Sequence, residues 1–65
     1  MKNWKVYGTT DDGFYVFFIK NVGHNVELWS QNKFLKEFMY ETQGSCTSDA
    51  TWDLFIDRFN FANNF

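Results

Sequence analysis

Ser30-Gln31-Asn32-Lys33-Phe34-Leu35-Lys36-Glu37-Phe38-Met39 is the stretch that decides how this 65-residue chain folds, because its hydrophobic period changes there. Phe34, Leu35, Phe38 and Met39 stand at i, i+1, i+4 and i+5, which places them in one stripe on a helix. Ser30 or Asn32 can accept the free amides of a first turn, and Gly44 suits a left-handed residue just past the last one. The spacing predicts a helix between these signals.

Upstream of this point the period is two. Asn3 to Tyr7 (N-W-K-V-Y) alternates, with Trp4 and Val6 on one side and Lys5 and Tyr7 on the other. Asp12-Gly13 is a turn dipeptide, and Phe14 to Lys20 (F-Y-V-F-F-I-K) is aromatic and β-branched throughout. Asn21 to Asn25 makes a second turn, and Val26 to Trp29 a third strand with Glu27 outward. Downstream, Trp52, Phe55, Ile56 and Phe59 fall at i, i+3, i+4 and i+7, with Ser48 as cap and Asp49 in the first turn. Asn60 to Phe65 reads as a frayed or docked tail. The expected fold is α+β: a three-stranded antiparallel meander followed by two helices (β-β-β-α-α). Both helices form a single layer on one sheet face, within one compact domain spanning residues 1–65.

The second strand carries the first functional expectation. Phe14, Val16 and Phe18 point one way and Tyr15, Phe17 and Ile19 the other, so the strand is apolar on both sides. A meander with one covered face is expected to alternate apolar and polar. Either the tail rings Phe61 and Phe65 or a helix cover the second face, or it is an exposed patch of the kind that marks a protein interface. On the interface reading, Tyr7, Tyr15, Phe17 and Ile19 form the patch, while Trp4, Val6, the Phe14 and Phe18 face of the second strand and the two helical stripes form the core. Rings without an evident core role are then Tyr7, Trp29, Tyr40, Phe61 and Phe65.

Nine Phe, three Tyr and three Trp make the chain 23% aromatic. A domain of this size buries only about 60% of the surface its unfolded chain exposes, so some rings are expected at the surface or in a contact. The 45% apolar and 22% charged content is that of a globular chain. No apolar stretch approaches the length of a membrane span, and the start lacks a secretory signal pattern. Cys46 is the only cysteine, which excludes an internal disulfide and fits a cytoplasmic protein. Abundant Phe, Asn and Tyr with few Arg residues correspond to A/T-rich codons, as in many phages and mobile elements. That association carries no physical weight.

Gly13-Phe14-Tyr15-Val16-Phe17-Phe18 is similar to the RNP1 strand of RNA-recognition motifs in following a glycine with alternating rings. Asp12 stands where that motif has Lys or Arg, Tyr15 replaces a small residue, and the β-α-β-β-α-β order is missing. The net charge of −2 also opposes general phosphate binding. Asp49, Asp53 and Asp57 recur at i, i+4 and i+8 on the second helix. They form either a solvated outer face or an acidic edge for a basic partner.

Catalytic and metal chemistry find little support. His24 sits in a Gly-His-Asn turn with no second His or Cys at ligand spacing, and no phosphate loop or nucleophile elbow occurs. No cofactor and no enzymatic role are expected. The expected function is a small interaction protein that binds and modulates, by inhibition, another protein of unknown identity. Tyr7, Tyr15, Phe17, Ile19, Asp49, Asp53 and Asp57 are its candidate contact residues. A homo-oligomer is the second reading, and single-stranded nucleic acid stacked on the sheet is the third.

Overall fold

The computed structural model describes residues 4–63. Strands β1 (Trp4–Thr9), β2 (Tyr15–Val22), β3 (Asn25–Asn32) and β4 (Phe38–Ser45) lie side by side in chain order in one antiparallel sheet. Helix α1 (Asp49–Asn63) follows and packs on one face of it. The result is a small α+β unit of four strands and one helix, which corrects the expected three strands and two helices. Asn3 of the first expected strand and Asn64 and Phe65 of the expected tail lie outside the described residues.

The helix expected around Phe34 to Met39 is a turn and a strand, and its capping signal is real. Asn32 Oδ1 accepts the amides of Phe34 (2.9 Å) and Leu35 (3.0 Å), as an N-cap would. The chain reverses at Lys36, however, whose φ of 57° is left-handed and whose amide bonds to the Asn32 carbonyl at 2.7 Å. A single helical turn leaves most of its backbone groups unpaired and is marginal alone. Reversal instead gives β3 a full partner, with Gln31 opposite Phe38, Trp29 opposite Tyr40 and Leu28 opposite Thr42. The register shift in this pair leaves Glu41 as an extra residue, which breaks the alternation that would have identified a strand.

The core lies between the sheet and α1. Phe17, Val26, Leu28 and Phe55 are 0–1% exposed, and Tyr7, Tyr15, Ile19, Trp52, Phe59 and Ala62 pack around them. Fully burying a side chain of these kinds contributes about 1.5–3 kcal/mol. The helix comes close enough to the sheet that a Cβ at Gly8 would stand 3.0 Å from the Phe59 ring. One at Gly44 would overlap the side chain of buried Thr51.

Helix α1 begins one residue after Ser48, as expected, and runs on through Asn60 to Asn63, where a tail was expected. Asn63 clamps its far end to the β1–β2 turn, accepting the Asp11 amide at 2.6 Å. Within the expected stripe Phe55 is buried and Trp52 and Phe59 are half-buried, but Ile56 is 48% exposed. Thr51 takes the buried place next to Phe55 instead.

Candidate functional site: the open aromatic face of the sheet

Residues paired across an antiparallel ladder share a face, so the registers assign every side of this sheet. Phe17 pairs with Ser30, Ile19 with Leu28 and Asn21 with Val26, and all belong to the side under α1. Val6 pairs with Phe18, Phe18 with Trp29 and Trp29 with Tyr40, which places this row on the opposite side. Trp4 with Lys20 and Glu27, and Phe38 with Gln31 and Val16, make the flanking rows.

The open side is bound together by rings. Trp4 meets Trp29 edge-on at 5.4 Å and Phe18 at 6.2 Å, and reaches Phe38 at 5.4 Å. Phe18 contacts Phe38 at 5.6 Å, and Trp29 contacts Tyr40 edge-on at 5.5 Å. Such pairs contribute about 0.5–1.5 kcal/mol each beyond area burial. Trp4 and Phe38 come from the two outermost strands, so their long side chains meet above the centre of the sheet. None of these rings is fully buried, and Val6 beside them is 66% exposed.

Among the described strand residues, two charges edge the cluster, and both are tied to it. Lys20 Nζ lies 5.4 Å from the centre of the Trp4 ring, a cation–π contact. Glu27, paired with Lys20 across the ladder, accepts the Trp29 indole N–H at 2.9 Å. The indole donor is therefore satisfied within the protein, leaving ring faces and edges as the exposed chemistry.

The sheet residues singled out from the sequence lie on the other side. Phe17 is buried at 1% exposure, and Tyr15 and Ile19 pack on the core beneath α1. Tyr7 meets Phe55 and Phe59 edge-on, and burial pushes its hydroxyl above the ordinary tyrosine range. Conversely Trp4, Val6 and Phe18, expected in the core, are on the open side. A period of two says which residues share a face, but not which face a helix will cover. The register shift between Val6 and Gly8 makes Tyr7 the extra residue on β1. Trp29 and Tyr40 already stood out as rings without a core role. Phe38 did not, because it was assigned to a helix.

Asp49, Asp53 and Asp57 are exposed along α1, remote from the ring cluster on the far side of the sheet. Nearer to α1, a pocket of about 210 Å³ opens between β4 and the helix, lined by residues including Phe17, Ser30, Met39, Glu41 and Arg58. Its Glu41 accepts the buried Ser30 hydroxyl at 2.9 Å, which satisfies that polar group. In the β1–β2 turn, the Thr10 hydroxyl and the Phe14 amide hold the Asp12 carboxyl below its usual range.

His24 and Cys46 are both exposed, and the Cys46 amide donates to the His24 carbonyl at 3.0 Å. That contact joins two main chains and says nothing of the side chains. Among the described residues no group of three or more His, Cys, Asp or Glu side chains could hold a metal. No helix among them is long and apolar enough to cross a membrane. No protein-family model matches the chain, and no curated protein or solved structure is significantly similar to it.

Proposed function

We propose that this protein is a non-enzymatic, cytoplasmic interaction module whose open sheet face docks on a protein surface. The observation that carries the reading is the connected cluster of Trp4, Phe18, Trp29, Phe38 and Tyr40 on the side without a helix. Aromatic side chains are favoured as contact anchors because they bury much area with few rotatable bonds to immobilise. Here they are already fixed against one another, so ordering them on binding has little left to restrict. Nucleic-acid stacking fits the charge less well. Lys20 is the one cation among the strand residues of that face, and it is already engaged with Trp4. Strand-tracking sites combine rings with a positively charged groove.

The test is a photo-activatable phenylalanine analogue placed at Tyr40 and, separately, at Asp53 on α1. Irradiation of producing cells is expected to give protein adducts at position 40 and few at position 53. Absence of adducts at 40, equal yields at both positions, or adducts made of nucleic acid would each overturn the reading.

A further inference from the structure

We propose that the partner on the open face is a second copy of this chain, the two sheets stacking face to face with both helices outside. This inference rests on the protein-docking reading above and names its partner. Three features of the molecule converge on it.

The first is size. The molecule is a slab of 32 × 26 × 14 Å, so its broad side is bounded at roughly 800 Å², the order of the area each partner contributes to a stable interface of standard size. Two antiparallel sheets pack about 10 Å apart with inward side chains interdigitated, and that is the environment these half-exposed rings lack.

The second is charge. The strand residues of the open face include one cation, Lys20, and one anion, Glu27, side by side on adjacent strands. The described strand residues of this face are therefore neutral together in a chain of net charge −2, and Asp49, Asp53 and Asp57 sit on the helix behind it. An isologous pair brings two neutral surfaces together and sends the acidic helices apart, so like-charge repulsion is minimised. A basic partner would find its complement on the helix rather than here.

The third is the condition of the sheet edges. Both outer strands carry an extra residue, Tyr7 on β1 and Glu41 on β4. Bulged edges resist the addition of another strand, which leaves the face as the route to self-association.

Sedimentation velocity across a dilution series tests the pairing, with circular dichroism confirming that each variant is folded. The wild-type chain of 7.8 kDa is expected to sediment at twice that mass and to dissociate on dilution. Val6→Glu and Tyr40→Glu place a carboxylate in the contact and are expected to weaken dimerisation at least ~30-fold. Ile56→Glu, on the exposed side of α1, is expected to leave it unchanged. A wild-type monomer at the highest concentration, or a dimer broken by Ile56→Glu but not by the other two, overturns the inference. A monomer that still gives cross-links to other proteins at position 40 removes the second copy and leaves the docking reading standing.

Discussion

The two faces of this sheet carry similar residues and meet different fates. Under α1, Phe17, Val26, Leu28 and Phe55 are sealed from water, with Tyr7, Trp52 and Phe59 closing the sides. On the opposite face Trp4, Phe18, Trp29, Phe38 and Tyr40 touch one another, and no helix among the described residues covers them. The difference comes from one helix. With a single α1 available, a sheet that is apolar on both sides has one satisfied face and one unsatisfied face. Hydrophobic character alone therefore does not separate core from open surface in this molecule; the position of the helix does.

The sharpest way to break this comparison is to truncate a ring on each side. Phe55→Ala empties a fully buried site and is expected to lose about 3–5 kcal/mol. A chain of this length holds only about 3–10 kcal/mol in total, so the variant should be largely unfolded by circular dichroism at room temperature. Tyr40→Ala removes one edge contact from a ring that is 49% exposed, and is expected to cost about 0.5–1.5 kcal/mol in urea unfolding. Similar losses at the two sites would mean that the faces are not distinguished as described.

A second variant probes how closely the helix sits. Gly44→Ala puts a methyl group into Thr51 and is expected to destabilise by about 1–3 kcal/mol in urea unfolding. Thr51→Ala in the same chain should recover part of that loss by removing the overlapping atoms. No loss in the single variant would mean that α1 stands further from β4.

The smallest effect is electrostatic. Burial raises the Tyr7 hydroxyl above its usual range, so the folded state favours the neutral phenol more than the unfolded state does. That contribution is complete below the ordinary tyrosine range and is lost as the pH rises through the folded value. Wild type should therefore lose stability in strong alkali more steeply than Tyr7→Phe, measured as the shift in midpoint denaturant between neutral and alkaline buffer. Identical slopes would place the Tyr7 hydroxyl in water.

Individual elements could be read from the sequence, whereas the strand and helix count and the exposed face could not, for identifiable reasons. β2, the Asp12-Gly13 turn and the start of α1 after Ser48 followed from local chemistry that tertiary contacts did not override. The stretch from Phe34 to Met39 misled because Asn32 gives the same capping bonds to a tight turn as to a helix. Only the vacant edge of β3 decides between them, and that is a long-range property. For the candidate site, the sequence showed that β2 is apolar on both sides and that Trp29 and Tyr40 lacked a core role. It assigned the exposed face to Tyr15, Phe17 and Ile19 because nothing local says where α1 will settle. The extra residues Tyr7 and Glu41 lie in edge strands, where a one-residue insertion disturbs the alternation a reader relies on.

Phe17 and Phe18 offer the most direct measurement, since they are neighbours of the same type on opposite faces of one strand. Phe17→Ala and Phe18→Ala should be compared by urea unfolding at a dilution where the wild type is monomeric. Phe17→Ala is expected to lose about 3–5 kcal/mol, the cost of emptying a sealed core site, and so to be largely unfolded before urea is added. Phe18→Ala is expected to lose roughly 1–2 kcal/mol, from contacts with Trp4 and Phe38 on a half-exposed surface, and to keep a cooperative urea transition. A Phe18→Ala variant destabilised as much as Phe17→Ala, or more, would mean that the open face is part of the core.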